Sequence, residues 1–407
     1  MVSVHSLALD KTVDVTRRIG EFSRDKEGPT VIFVGGVHGN EPSGIFALKR
    51  VLKTLNENNL DFAGKLYALS GNLTALQKSE RYIDYDLNRI WFDLQANGKG
   101  QRAVNAVERR ERNEIIQEFD EIINSNQGPF YIFDLHTTSS YSVPFLVLGD
   151  TLRNREIVHD IPAPVILGLE EMAEGTMFSF LDRTGVNAAL FEAGQHDSLA
   201  AIENHEAFIW LVLDKIGAID KSQIKDFHLY YETLKKESVG KQKYYETIYK
   251  YDVDESEGFK MEDGFVSFQM VAENLKLATN NRGDIRTPIK GLIFMPLYQK
   301  QGEDGFFIIR KISDFWIRFS VSLRKLSFDK LFGLLPGVRR HKEISDTYEI
   351  NKHIAFIFPL QIFHLFGYRK VVENGNKYVV TRRRYDIKGP EREEVVRNFD
   401  NMLESIT

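Results

Sequence analysis

An α/β fold, a mostly parallel sheet flanked by helices, is predicted by three observations. Apolar runs rich in β-branched and aromatic residues alternate with stretches at helical spacing through the first half of the chain. Two of these runs, Val31-Ile-Phe-Val34 and Phe130-Tyr-Ile-Phe133, are continuous rather than alternating, as expected of strands buried on both faces. Three of them run into Gly-Gly, His or Glu, and strand ends are where such sheets usually carry their sites.

The elements follow in chain order. Residues 1 to 30 are polar, with weak strand character at Asp14 to Ile19. Val31 to Val34 is a buried strand, and Gly35-Gly36 lets the backbone turn sharply after it. Ser43 to Asn56 reads as a helix, because Ile45, Leu48, Val51, Leu52 and Leu55 recur at helical spacing. Lys65 to Leu69 is a strand ending in the turn Ser70-Gly-Asn72, and the polar stretch Glu80 to Arg89 comes next. Ala103 to Ser125 reads as a charged amphipathic helix and Phe130 to His136 as a strand. Tyr141 to Leu148, Val165 to Leu167 and Val186 to Phe191 are further strands, the last closing on Glu192, and Leu199 to Ile216 is helical.

The composition changes near Asp220. From Phe227 to Ile312 short strands and glycine-punctuated turns predict a smaller β-rich domain. Beyond Ser313 aromatic and basic residues mix in an α+β extension: Trp316 to Leu335 looks helical, Arg369 to Tyr385 is a hairpin around Glu373-Asn-Gly-Asn376, and Glu391 to Ile406 is an amphipathic helix. The expected division is therefore 1–220, 221–312 and 313–407. Arg382-Arg-Arg384 reads as a solvated strand face.

Among 407 residues, 43% are hydrophobic and 27% charged, ordinary values for a folded soluble protein with a large core. A formal charge of -5 argues against a general nucleic-acid binder. Without cysteine there are no disulfides and no thiolate zinc sites, so any metal must be held by His, Asp or Glu. No signal peptide is visible, and no apolar run approaches the roughly 20 residues that span a bilayer. The expectation is a cytoplasmic protein with a small-molecule partner, no nucleic acid and no membrane; a homo-oligomer is compatible with the sequence.

The chemistry gathers at the strand ends. His38 and Glu41 stand three apart after the first strand, and His136 ends the strand 130–136, preceded by Asp134. Parallel strands present their C-terminal ends on one edge, so His38, Glu41 and His136 can converge there. Two imidazoles and a carboxylate suit one zinc ion with a fourth position open, the catalytic arrangement. Each residue alone has a plain alternative, a solvated loop pair for His38 and Glu41 and a core histidine for His136; the convergence raises the metal reading. Glu192, also at a strand end, can take a proton from water and pass it to a leaving amine, against the alternative of a capping or salt-bridging glutamate. Arg81, Asn88 and Arg89 share one short segment, and guanidinium groups pair bidentately with carboxylates. Serine-hydrolase, phosphate-loop and calcium-loop motifs are absent.

Gly35-Gly-Val-His-Gly-Asn-Glu41, Arg81-Tyr-Ile-Asp-Tyr-Asp-Leu-Asn-Arg89, Phe133-Asp-Leu-His136 and Phe191-Glu-Ala-Gly-Gln195 together resemble the aspartoacylase/succinylglutamate desuccinylase family of the zinc carboxypeptidase-like superfamily, over roughly residues 31 to 310. The resemblance implies zinc held by His38, Glu41 and His136, Glu192 as general base and acid, and substrate binding by Arg81, Asn88 and Arg89. It also implies an arginine upstream of Glu192, here Arg183, and a tyrosine from the C-terminal region, here Tyr298 or, at the nearer alignment, Phe306. The implied activity is hydrolysis of the amide bond of an N-acyl amino acid. The alternatives left open are a metallocarboxypeptidase and an inactive zinc-binding scaffold that uses its extension for partners.

Overall fold

Strands buried on both faces need helices on both sides, and the sequence supplies them. A computed structural model describes residues 1–92, 106–173, 175–355 and 360–406. Thr30–Gly35 is buried along its whole length, and its side chains divide by the period of two. Val31 and Phe33 point into one apolar core with the helices Ser43–Glu57 and Leu199–Lys215. Ile32 and Val34 point into the opposite core, which receives the helices Val107–Ser125 and Met177–Thr184 and Val395 and Phe399 of the C-terminal helix Arg392–Ile406. The expected helix from Ala103 thus begins at Val107, and residues 103–105 lie outside the described residues.

Among the described residues eleven strands make one mixed sheet. Its centre is parallel: Thr30–Gly35 lies between Lys65–Ser70 and Phe130–Thr138, and Phe130–Thr138 pairs in turn with Asn187–Gln195. In this register His136 stands directly beside Glu192. Phe145–Val147 runs antiparallel to Asn187–Gln195, and Val165–Leu167 follows it. The sheet does not stop near residue 220. Tyr244–Asp252 pairs in parallel with Val165–Leu167, and Asp304–Ile312, Gly291–Phe294 and Gln269–Val271 extend the same sheet. At the other edge Arg18–Ser23 pairs antiparallel with Lys65–Ser70, beside the hairpin Val2–Ser6 and Lys11–Val15, so the N-terminal region holds more strand than its weak pattern predicts.

In the extension, the expected helix 316–335 breaks in two. Asp314–Lys325 is α-helical, Ser327 turns left-handed at φ 54°, and Phe328–Leu334 continues as a 3-10 turn. Tyr368–Asn374 and Lys377–Arg382 form the predicted hairpin, inside a four-stranded antiparallel sheet with Val338–Arg340 and Thr347–Asn351.

The reading of Arg382-Arg-Arg384 as a solvated strand face is corrected. The strand ends at Arg382, whose guanidinium holds Asp386 at 2.6 Å. Arg383 then turns into the body of the protein and meets Asp182, Glu170 (2.8 Å) and Glu171 (2.9 Å). Arg384 is the member that remains exposed. Three acidic side chains supplied by residues 170–182 outweigh the local pattern, which reports only that the run is charged.

Candidate active site

The loop after Thr30–Gly35 is shaped by glycine. Gly36 takes φ 73°, a region that favours glycine, and a Cβ on Gly39 would meet the Ala75 carbonyl carbon at 2.1 Å. The helix Ser43–Glu57 follows at once, so the loop is pinned between strand and helix and presents His38 and Glu41 over the sheet edge.

His38, Glu41 and His136 are all buried, and one ligand atom from each lies within 4.8 Å of the others. His38 Nδ1 is 2.8 Å from Glu41 Oε1, and His136 Nδ1 is 3.1 Å from Glu41 Oε2. The Thr137 backbone N–H donates to the same Oε2 at 2.9 Å. On their far sides both rings meet a carboxylate: His38 Nε2 lies 3.1 Å from Asp86 Oδ1, and His136 Nε2 lies 2.8 Å from Asp134 Oδ2. Carboxylates behind imidazoles fix ring orientation and raise ligand basicity, the arrangement that accompanies metal-binding histidines. Two imidazole nitrogens facing one carboxylate, each ring buttressed behind, fit a divalent ion such as zinc.

The charges agree with this reading. Burial by itself would raise the Glu41 carboxyl, but the two histidines overcome it and hold Glu41 well below the usual carboxylate range. Burial would lower His136, yet Asp134 and Glu41 carry it well above an ordinary histidine. Burial likewise opposes ionised Asp86, which Arg81 and His38 keep ionised. Glu192 is the exception. Burial pushes it up to about 8; His136 opposes the rise, while Glu41 and Asp134 add to it. Among the described residues, its Oε2 has no hydrogen-bond partner.

One narrow cavity of about 100 Å³ joins these groups to the arginine segment, with His38, Glu41, Arg81, Asn88, Arg89, His136 and Glu192 all in its lining. Arg81 holds Asp86 Oδ2 through Nε (3.2 Å) and Nη2 (2.9 Å) and reaches Glu41 at 3.5 Å. Arg89 donates to the Asn88 carbonyl at 2.7 Å and pairs with Asp304. Asn88 Oδ1 accepts the Met177 N–H at 2.8 Å, which turns its amide nitrogen away from the helix start.

Two expected residues are not brought into this cavity. The Arg183 guanidinium lies 4.0 Å from the Phe92 ring centroid, because its place on the short helix Met177–Thr184 directs it there. The Tyr298 hydroxyl donates to the Glu262 carbonyl and accepts the Phe265 N–H, both at 2.9 Å, which turns the ring outward while its neighbours Leu297 and Gln299 line the cavity. Phe306, the other candidate, is buried against Tyr249 and Tyr251. Sequence reasoning gave no role to Asp134, which it noted before His136, and passed over Asp86, Glu303 and Asp304. Asp134 carried a readable signal, since residues two apart on a strand share a face.

Residues 27–209 match the family model of the succinylglutamate desuccinylase/aspartoacylase catalytic domain. That segment is similar to this family. This chain is similar to the succinylglutamate desuccinylase of Pseudomonas aeruginosa, 28% identical over 111 residues, 27% of this chain and 31% of that protein. It is also similar to the aspartoacylase of Rattus norvegicus, 36% identical over 122 residues, 30% and 38% of the two chains. The matches thus span about a third of the length of these curated relatives. Among solved structures, a succinylglutamate desuccinylase/aspartoacylase from Rhodobacter sphaeroides superposes with a TM-score of 0.51 at 17% identity, over 70% of this chain and 87% of that one. The product-bound ectoine utilization protein EutE (DoeB) from Ruegeria pomeroyi gives the same TM-score, identity and coverage. At such identities the likeness establishes the fold, over more of the chain than residues 27–209.

Proposed function

We propose that this protein is a zinc-dependent deacylase that hydrolyses the amide bond of an N-acyl amino acid. The observation that carries the reading is the pairing of His136 with Glu192 on adjacent strands, which sets a candidate metal cluster beside a buried carboxyl of raised pKa in one cavity. His38, Glu41 and His136 would hold the ion. When bound, zinc supplies Lewis acidity, polarising an acyl carbonyl and bringing the pKa of a water toward about 7.

The chain's own residues do the rest. Glu192 accepts a proton from the attacking water and returns it to the departing amine nitrogen. Asp86 and Asp134 hold the two imidazoles in place. Arg81, the Asn88 amide nitrogen and Arg89 bind the carboxylate of the amino acid. Met295, Leu297 and Gln299 wall the cavity beside these groups.

The test is metal analysis together with an amine-release screen of N-acyl amino acids. Wild type should hold about one zinc per chain and release amine, and His38→Ala and His136→Ala should lose most of the metal. Full zinc occupancy in both variants, or no amine release from any acyl amino acid, would sink the proposal.

A further inference from the structure

We infer that the helix Asp314–Lys325 attaches the protein to the surface of an anionic lipid bilayer, through Phe315, Phe319 and Leu326 and the cations Arg318 and Lys325 beside them. The helix reverses the usual amphipathic pattern. At helical spacing Ile317, Ser320 and Arg324 share one face, and that face is buried: Ser320 donates to the Leu365 carbonyl and Arg324 holds Asp150 and Asp386. The opposite face carries Phe315, Phe319, Ser322 and, one residue past the helix, Leu326 in a line. These apolar side chains are exposed: Phe315 by 66%, Phe319 by 41% and Leu326 by 67%. Phe315, Trp316 and Phe319 pack on one another with ring centroids 5.2 to 6.0 Å apart, so they form one patch. A contiguous apolar patch bordered by charge marks a partner or a membrane surface.

The charge around the patch selects the bilayer. Arg318 and Lys325, both exposed, lie along one flank of the apolar line, and the one acid of the helix is Asp314 in its first turn. Residues 311–342 hold eight Lys or Arg against two Asp, a formal charge of +6 in a chain whose total is -5. A second copy docked by a two-fold axis would bring Arg318 and Lys325 against the same cations. Anionic headgroups accept both halves of the surface: aromatic rings seat at the headgroup boundary, and Lys and Arg lie in its negative potential. Among the described residues no helix is long and apolar enough to cross a membrane, so the attachment is to the surface.

The experiment mixes the full chain with vesicles of equal parts phosphatidylcholine and phosphatidylglycerol, or of phosphatidylcholine alone, and reads co-sedimentation and tryptophan emission. Of the three tryptophans, Trp91 and Trp210 are fully buried and Trp316 is exposed, so a blue shift on binding reports this helix. The anionic vesicles should be bound with a blue shift, at least about tenfold more tightly than the neutral ones, and salt should weaken the binding. Phe315→Ser with Phe319→Ser, and separately Arg318→Gln with Lys325→Gln, should each weaken it by at least about tenfold. All four side chains are exposed, so these changes leave the core intact. No binding to anionic vesicles, equal binding to neutral ones, binding without the blue shift, or binding unmoved in either double variant overturns the inference. So does a dimer that the phenylalanine variant disperses while vesicles stay unbound, since the patch then covers a second copy.

Discussion

The molecule holds two buried ionic clusters that look alike in composition and differ in how completely they are paired. In the candidate active site, His38, Glu41, His136, Asp86, Asp134 and Glu192 are packed together with one carboxylate oxygen of Glu192 lacking a partner among the described residues. At the junction with the C-terminal extension, Arg324 is fully buried and its guanidinium makes five hydrogen bonds: Nε to the Leu365 carbonyl, Nη1 to the Asp150 carbonyl and Asp386, Nη2 to Asp150 Oδ2 and the His364 carbonyl, all at 3.0–3.1 Å. A guanidinium has five N–H donors, so this cluster is saturated. The difference teaches what each is for. A saturated cluster fixes two parts of the chain together; an incompletely paired one keeps chemistry available at the cost of stability.

Four measurements would break or sharpen that contrast. The largest effect is expected from Glu192→Gln. Turnover should fall by ~10²–10⁴-fold, as for a lost general acid–base group, while zinc content and fold are retained. Near wild-type kcat in a folded, zinc-loaded variant would remove Glu192 from the chemistry and leave the open cluster without a function.

The junction should behave in the opposite way. Arg324→Met takes one of two arginine partners from Asp150, which keeps Arg155, and from Asp386, which keeps Arg382, and removing one partner from a buried charge network costs up to ~3–5 kcal/mol. Denaturant unfolding should show that loss, with kcat unchanged well below the variant's Tm. A kcat deficit in the folded variant would mean that the extension takes part in the site.

A smaller effect is expected behind the metal cluster. Asp134→Asn keeps the shape but weakens the buttress on His136 Nε2, and such partners typically contribute 10–100-fold to metal affinity. Competition with a chromophoric chelator measures it; unchanged affinity would reduce Asp134 to a packing role.

The smallest effect concerns pH. The folded value of about 8 for Glu192 lies above the unfolded value of about 4.3. Between the two the folded state binds more protons than the unfolded state, so the stability this group contributes is lost as pH rises through that window. Metal-free Glu192→Gln should therefore gain in Tm over metal-free wild type from pH 5 to 8, with the gap levelling off above. A difference that stays flat with pH would show that Glu192 is not held protonated.

By itself the sequence determined the sheet centre and the site's inner members. Continuous apolar runs ending in His38 or His136, and one ending in Glu192, specify both burial and edge, because a parallel sheet sends all its C-terminal ends the same way. Local pattern could not reach contacts made across the chain. Arg89 meets Asp304 215 positions away, and Arg383 meets Asp182 201 positions away. The Arg382–Arg384 run therefore read as solvated, although Arg383 turns inward onto three acids. Arg183 and Tyr298 lie on elements whose orientation is set by packing against Phe92 and by the Glu262 and Phe265 backbone. The continuation of the sheet past residue 220 was likewise decided by the pairing of Tyr244–Asp252 with Val165–Leu167. Periodicity reports which face of an element is apolar, and only the assembled structure decides which distant charge or strand that element meets.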